Sequence, residues 1–325
     1  MKDKYDAVII GGGMGGLSCG AWLAHHGMKV AVIEQNRQVG GFCSSYKRGG
    51  FNFTVAASEV TGTTESGLIT RTIRALGIES QIEFIPLEQG YHVHFPDFNY
   101  YIYSGGGTAR ERFMEQFIKL FPAEAGGIRR FFNVLVKINE QADYATFLGT
   151  GPRDIARILI KCPTLVRHMT RGIVSFMDGY VSDPRLRAAL SINSTCANVP
   201  PSKMSALGIA GLLIEGGLSI PHVRGGAQSV SEAFAASVRA NGGGILTGKL
   251  VEQIMVEKGR ACGVRLVDSG HAAEGAVTQG TPETIMARYV VSNASARQTF
   301  FQLLGGNHVS AAYLGRLRTR EVTPP

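Results

Sequence analysis

The stretch that decides the fold spans residues 5–34 and reads YDAVIIGGGMGGLSCGAWLAHHGMKVAVIE. Its first part, residues 5–10, is a short β-rich apolar run that is typical of a buried strand. A glycine turn follows, and residues 17–26 have the pattern of a helix that ends at Gly27. Residues 29–34 (KVAVIE) indicate a second strand. We therefore predict an α/β domain that opens with a strand, a glycine turn, a helix and a parallel strand.

The glycine turn contains the pattern G-x-G-x-x-G. The first glycine allows a tight turn off the strand, the second lets the backbone approach a pyrophosphate, and the third lets helix and strand pack closely. The helix N-terminus presents free N–H groups and the positive end of its dipole to the phosphates. We predict that a dinucleotide binds along the whole turn, which comprises Gly11, Gly12, Gly13, Met14, Gly15 and Gly16.

An acidic residue, Glu34, ends the second predicted strand, 18 residues after Gly16. A carboxylate in this place accepts hydrogen bonds from a ribose 2′-OH and repels a 2′-phosphate, so the pattern favours FAD or NAD over NADP. The alternative interpretation is a glycine turn without a ligand and a surface glutamate.

A second glycine doublet, Gly40-Gly41, begins six residues beyond Glu34. Such a doublet lets the chain pass close beneath a longer dinucleotide, and Arg37 is placed to offset phosphate charge or to cover the adenine. The two glycine motifs together favour FAD over NAD. The predicted cofactor residues of this part of the chain are Glu34, Gln35, Arg37, Gly40, Gly41 and Phe42.

Composition bounds the remaining possibilities. The chain has 325 residues, of which 44% are hydrophobic and 18% are charged, so we expect one large or two interleaved globular domains. The net charge of +8 suits acidic partners, but no nucleic-acid motif is present and we expect no nucleic acid. The five cysteines form no CxxC pair, which indicates a reducing, cytoplasmic location without a disulfide framework or a zinc site.

Other polar residues give weaker signals. His92 and His94 alternate on one predicted strand face, but no third or fourth ligand is evident and we expect no metal. Glu59 and Glu215 are either near the flavin or the substrate tunnel, or ordinary solvated carboxylates. Cys43 is either close to the cofactor or a small buried thiol. We therefore name no catalytic residue from the sequence.

Several later segments carry a family resemblance. They are residues 221–226 (PHVRGG), 241–245 (NGGGI), 249–254 (KLVEQI), 263–264 (GV) and 290–294 (VVSNA). Together with the glycine fingerprint, Glu34 and the second doublet, they make the chain resemble the phytoene desaturase, carotenoid isomerase and retinol saturase family of FAD-dependent oxidoreductases, over almost its whole length and in order.

The resemblance implies a glutathione-reductase-like, Rossmann-like FAD-binding domain formed by residues 1–85 and 222–300. It also implies an interleaved α+β substrate domain, formed by residues 86–221 and 301–325, and a contact of Val251 with the adenine side. The implied activity is FAD-dependent desaturation, saturation or isomerisation of a long apolar isoprenoid or polyene. Phe42 stands where many desaturases have Arg, which is nearer the isomerase and saturase branch. No late glycine-rich segment follows Gly305-Gly306, so we expect a C-terminally truncated sequence.

The sequence leaves a membrane contact open. The polar N-terminus indicates no signal peptide, and residues 206–220 are too short an apolar segment to span a bilayer. Residues 153–177, by contrast, alternate apolar side chains with arginine and lysine. This segment is either a peripheral contact with lipid headgroups, as drawing an isoprenoid from a bilayer would require, or a helix pair that packs on the FAD domain and has a solvated basic face.

Two rival functions share the fold. The first is an amine-oxidase-like flavoprotein, for which we can assign no aromatic cage. The second is a non-enzymatic prenyl-binding protein similar to the Rab escort and GDP-dissociation-inhibitor proteins. The intact set of Gly11, Gly13, Gly16 and Glu34 speaks against the second rival, because a protein without a dinucleotide does not need it.

Overall fold

The computed structural model describes residues 5–57, 60, 62–63, 65, 67–103, 107–146, 148–197, 199–216, 221–269 and 282–320. The chain divides into two compact units. The first unit comprises Met1–Val60, Thr70–Phe84 and His222–Val322, and the second comprises Thr61–Ile69, Ile85–Pro221 and Thr323–Pro325.

The described chain opens with β1, α1 and β2, carries most of its helices in the middle, and ends with a run of strands and one helix. The strands are β1 (Tyr5–Ile10), β2 (Val30–Ile33), β3 (Ser45–Arg48), β4 (Phe51–Thr54), β5 (Phe84–Ile85), β6 (Gln89–His94), β7 (Asn99–Tyr103), β8 (His222–Val223), β9 (Gly244–Leu246), β10 (Lys249–Glu257), β11 (Arg260–Asp268) and β12 (Glu283–Ser292). The α-helices are α1 (Met14–His25), α2 (Leu68–Ala75), α3 (Gly107–Leu120), α4 (Ala125–Thr146), α5 (Pro152–Lys161), α6 (Pro163–His168), α7 (Ile173–Met177), α8 (Pro184–Ser191), α9 (Ala206–Ala210), α10 (Ala227–Ala240) and α11 (Ala311–Thr319).

The first unit is built on a sheet with the strand order β10-β11-β12-β1-β2-β9. β1 runs parallel to β2 and to β12, and β2 runs parallel to β9. The predicted strand–turn–helix–strand order at the N-terminus is confirmed. The helix begins at Met14, earlier than predicted, because Gly15 and Gly16 already have helical backbone and the turn ends at Gly13.

The last three strands are the longest of the described chain. β10 and β11 have nine residues each and form a hairpin whose turn contains Lys258 and Gly259, both at positive φ. β12 pairs with a different strand on each side, antiparallel on one and parallel on the other. Its first half pairs antiparallel with β11, and its second half, from Ala287 to Ser292, pairs parallel with β1.

Apolar layers cover both faces of the parallel strands. Ile9 and Val32 face α1, where a Cβ on Gly20 would lie 2.8 Å from Val32 Cγ2 and 3.3 Å from Ile9 Cδ1, so the helix packs close to the sheet. On the other face, a second cluster joins these strands to the β10–β11–β12 meander. It contains Val8, Ile10, Ala31, Ile33, Val251, Ile254, Val264, Leu266, Ile285, Ala287 and Leu303.

The second unit is a mainly helical domain with the two-stranded β6–β7 sheet. Its core is rich in aromatic rings, among them Phe113, Phe117, Phe131, Phe132 and Phe176, all fully buried. α4 places Ile128, Phe131, Leu135 and Ile138, which recur at helical spacing, in this core.

Residues 153–177 form α5, α6 and α7. The two alternatives for this stretch, a lipid contact or a packed helix pair, can be compared residue by residue. Leu165, Ile173 and Phe176 lie in the core of the second unit, whereas Leu159 and Ile160 of α5 are exposed. None of the helices formed by the described residues is long and apolar enough to cross a membrane.

Candidate functional site

The glycine turn between β1 and α1 is tightly constrained by its own backbone. Gly11 has φ +96°, a conformation that favours glycine. A Cβ on Gly16 would collide with the carbonyl oxygen of Gly11, so helix and strand could not stay this close with any larger residue. Both glycines are therefore required by the fold itself.

Gly13 differs from its neighbours because the protein does not demand a glycine there. Its φ of −72° and ψ of 174° suit any residue. A Cβ on Gly13 would meet one neighbouring atom within 4 Å, the side-chain Nδ2 of Asn293 at 3.4 Å. The space in front of Gly13 is therefore left open by the chain, as a closely approaching ligand requires.

The end of β2 is fixed to the turn through Glu34, whose side chain is buried. Glu34 Oε2 accepts a hydrogen bond from Gly12 N at 2.7 Å, and Oε1 accepts from Asn36 N and Asn36 Nδ2, both at 2.8 Å. A Cβ on Gly12 would lie 2.9 Å from Glu34 Cβ, so this residue must also be glycine. Oε2, which accepts one hydrogen bond, keeps acceptor capacity for a further one, whereas Oε1 already accepts two.

The second glycine doublet packs directly on the first. Gly40 N donates to Gly12 O at 2.8 Å, and Gly40 forms a parallel bridge with Gly13. Gly40 and Gly41 have φ of +119° and +57°, and a Cβ on Gly41 would lie 3.4 Å from Gly13 Cα. The two motifs, 24 residues apart between Gly16 and Gly40, thus form one continuous surface.

These elements surround a cavity of about 230 Å³ at the carboxyl end of the parallel strands. Ligands of open α/β sheets bind at this edge. The predicted residues that line the cavity are Gly11, Gly13, Glu34, Gln35, Gly41 and Val251. Val251 reaches it from β10, which follows the short β9 strand beside β2.

The other predicted cofactor residues lie outside the cavity wall. Gly12, Gly15, Gly16 and Gly40 shape the turn from behind or beside it. Met14 accepts a hydrogen bond from Ser231 Oγ through its sulfur at 3.3 Å. Arg37 is an exposed residue of the loop after β2, and Phe42 is 60% exposed.

Four polar lining residues were not predicted individually: Asn36, Lys249, Asn293 and Gln298. Asn36 could have been suspected, because it follows Glu34 by two residues and holds that carboxylate. Lys249 Nζ contacts Asp268 Oδ1 at 2.6 Å and Glu283 Oε2 at 3.6 Å. The hydrogen bond to Asp268, with the charge of Glu283, raises the pKa of Lys249.

The weaker candidates do not join this cavity. The rings of His92 and His94 lie 3.9 Å apart, and among the described residues no group of three or more His, Cys, Asp or Glu side chains could hold a metal ion. Burial raises the pKa of the Cys43 thiol, and Cys43 does not line the cavity. Glu59 and the side chain of Glu215 lie outside the described residues.

The first unit is a Rossmann-like dinucleotide-binding fold. Its parallel strands, its glycine turn into α1 and the acidic end of β2 define that class. Residues 9–76 accordingly match the family model of the NAD(P)-binding Rossmann-like domain. The predicted fold class is confirmed.

Sequence comparison extends the similarity to nearly the whole chain. The chain is 27% identical to human all-trans-retinol 13,14-reductase, covering 94% of this chain and 50% of the relative. It is also 27% identical to prolycopene isomerase 1 of an Oncidium hybrid, over 93% of this chain and 50% of the relative. A phytoene desaturase of Cereibacter sphaeroides is likewise 27% identical, over 93% of this chain and 55% of the relative. The predicted resemblance is confirmed, and the chain spans about half the length of the curated relatives it matches.

Solved structures show the same fold at lower identity. A Pyrococcus furiosus protein superposes with a TM-score of 0.66 at 18% identity, covering 97% of this chain and 65% of that one. Cyclohexylamine oxidase from Brevibacterium oxydans superposes with a TM-score of 0.61 at 17% identity, covering 98% of this chain and 63% of that one. A Rab GDI from Plasmodium falciparum superposes with a TM-score of 0.51 at 12% identity, covering 92% of this chain and 67% of that one.

Proposed function

We propose that this chain binds FAD and belongs to an FAD-dependent oxidoreductase that acts on a long apolar isoprenoid or polyene. The observation that carries the cofactor is the open space in front of Gly13, which lies between the second doublet at Gly41 and the buried carboxylate of Glu34. A dinucleotide laid along these residues places its pyrophosphate at Gly13 and its adenosine ribose at Glu34.

Each part of the cavity has a distinct task in this proposal. The backbone at Gly13 and Gly41 lies against the pyrophosphate without side chains in the way. Glu34 accepts a hydrogen bond from a ribose hydroxyl through Oε2, and Asn36 holds the carboxylate in place through Oε1. Val251 supplies apolar contact on the adenine side, as the family resemblance implies. The second doublet, bridged to Gly13, supports FAD over NAD.

When bound, the flavin supplies the redox chemistry, and the chain supplies binding and orientation. No side chain of the cavity is assigned as an acid or base. The substrate class rests on the relatives, whose names specify retinol, prolycopene and phytoene. The likenesses to an amine oxidase and a Rab GDI show the fold alone and favour neither rival function.

We test the cofactor and the substrate separately. Purified chain is incubated with FAD, desalted, and examined for flavin absorbance, with Gly13→Ala as the control that closes the proposed site. Retained flavin in the wild type alone supports FAD binding. The loaded protein is then offered all-trans-retinol, prolycopene and phytoene, each incorporated in liposomes, and, in parallel, primary amines. Turnover of an amine without change in any polyene would overturn the proposed substrate class.

We also propose that α5 contacts an anionic membrane surface. Its exposed side carries Leu159 and Ile160, with Arg153 and Lys161 beside them. Apolar side chains next to cations suit the boundary between lipid headgroups and acyl chains.

A further inference from the structure

We propose that Asn293 is a ligand of the cofactor pyrophosphate. This inference rests on the proposed function, because it concerns the same cavity. No sequence motif assigns a role to this residue, and it reaches the glycine turn from the far end of the chain.

The sheet brings Asn293 to the turn. β12 ends at Ser292, which is paired with Ile10, the last residue of β1. Asn293 N then donates to Ile10 O at 2.8 Å. Because the two strands are parallel, Asn293 and Gly11 leave the sheet at the same edge and lie side by side.

The side chain of Asn293 lies across the turn. Its Cβ is 3.6 Å from the position of a Cβ on Gly11, its Nδ2 is 3.4 Å from that of Gly13, and its Oδ1 is 2.5 Å from that of Gly15. A group that occupies the open space in front of Gly13 must therefore also meet the carboxamide of Asn293. This is the place that the proposed function gives to the pyrophosphate.

The charged residues around the cavity leave a role for the Asn293 carboxamide in binding phosphate. Among the described residues that line it, Glu34 and Lys249 are the charged ones. Lys249 forms salt bridges with Asp268 and Glu283. Recognition of the phosphates therefore falls to neutral donors, namely backbone N–H groups and side-chain amides. A carboxamide N–H donates readily to a phosphate oxygen.

The inference is tested by measuring the affinities of FAD, ADP and adenosine by calorimetry for the wild type and variants. Asn293→Ala removes the donor, and Asn293→Asp replaces it with a carboxylate of the same shape. Asn133→Asp, at an exposed position of α4, introduces the same charge elsewhere. Glu34→Gln changes the ribose end of the cavity. Circular dichroism establishes that each variant is folded. Asn293→Gln, which keeps the amide but displaces it by one methylene, is measured if Asn293→Ala and Asn293→Asp do not fold.

We expect Asn293→Ala to lower the affinity for ADP and for FAD about tenfold, as the loss of one hydrogen bond to a charged group implies. Asn293→Asp should weaken both about a hundredfold or more, because it adds repulsion between like charges. Adenosine, which lacks the pyrophosphate, should bind both variants as it binds the wild type. Glu34→Gln should lower the affinities for ADP and for adenosine by the same factor, and Asn133→Asp should change neither affinity.

Wild-type affinity of ADP for both Asn293→Ala and Asn293→Asp would overturn the inference and leave FAD binding intact. An equal loss of ADP and adenosine would overturn it as well, because Asn293 would then shape the pocket and not contact the phosphates. A wild-type chain that binds neither FAD nor ADP would overturn the proposed cofactor and this inference together.

Discussion

Glu34 accepts a hydrogen bond from the backbone N–H of Gly12, with 2.7 Å between Gly12 N and Glu34 Oε2. This bond joins the end of β2 to the turn that follows β1, so the carboxylate and the glycine turn hold a fixed distance. A ligand that spans both meets a site that is already organised, and binding does not have to fix these groups.

The first prediction concerns nucleotide choice. Glu34→Gln should weaken ADP and should reduce the preference for ADP over its 2′-phosphorylated form, because the variant no longer repels the extra phosphate. Competition binding of the two nucleotides measures the preference. An unchanged ratio would show that Glu34 does not read the ribose.

The second prediction separates two glycines of one motif. Gly16→Ala should lower the free energy of unfolding by about 3 kcal/mol or prevent folding, because the new Cβ collides with Gly11 O. Gly13→Ala should leave the unfolding free energy within about 1 kcal/mol of wild type, since its conformation suits alanine, but should abolish FAD uptake. Thermal melts and flavin retention measure the two effects. Equal destabilisation by both substitutions would contradict this account.

The third prediction uses adjacent glycines in the first turns of α4. A Cβ on Gly127 would collide with Tyr180 O, so Gly127→Ala should destabilise the chain by about 2 kcal/mol. A Cβ on Gly126 would meet Arg130 Nη1 at 3.5 Å, an ordinary contact, so Gly126→Ala should be neutral or slightly stabilising. Chemical denaturation of the two variants provides the comparison, and a similar loss in both would be inconsistent with the close approach at Gly127.

The fourth prediction tests the proposed membrane surface. Ile160 is 77% exposed, and Ile160→Glu should lower binding to vesicles that contain phosphatidylglycerol about fivefold or more. Leu68→Glu, at a residue that is 71% exposed on α2, is the matched control and should bind as the wild type does. Cosedimentation at low and physiological salt measures both. Equal binding of all three proteins would exclude α5 as the contact.

The fifth prediction concerns pH. His168 is buried, its Nδ1 has no hydrogen-bond partner among the described residues, and its ring packs edge-on against Phe176. Burial, together with the charges of Arg171 and Arg167, lowers its pKa below the ordinary value of 6.5. The unfolded chain therefore binds a proton more readily, and stability should fall as the pH drops from about 7 to about 5.

His168→Leu should flatten this pH dependence. The readout is the melting temperature of the wild type and the variant across that pH range. A wild-type profile that remains unchanged in the variant would assign the dependence to other groups.

The sequence was sufficient for the parts of the site that are local. The strand, turn and helix from Tyr5 to His25 and the acid at Glu34 follow from periodicity and glycine chemistry, which act over a few residues. The second doublet was also visible, because glycines at positive φ have a distinct role in tight turns.

The opposite wall of the cavity could not be predicted residue by residue from such patterns. Lys249 and Asn293 reach it only because β10 and β12 return to the N-terminal strands, and no local signal encodes that register. Family resemblance marked both segments but assigned a role only to Val251. The two alternatives for residues 153–177 stayed open for a related reason. Apolar periodicity indicates a buried face without stating whether protein or lipid covers it.

The pairing of Ile10 with Ser292 has a consequence for biosynthesis. During synthesis β1 precedes β12, its neighbour on one side, by a long stretch, since Ser292 is translated 282 residues after Ile10. Until then the apolar edge of β1 lacks its partner, and the wall of the cavity that Asn293 supplies does not exist. Over that interval β1 is a strand with an unpaired edge, which favours association with other chains until β12 has been made.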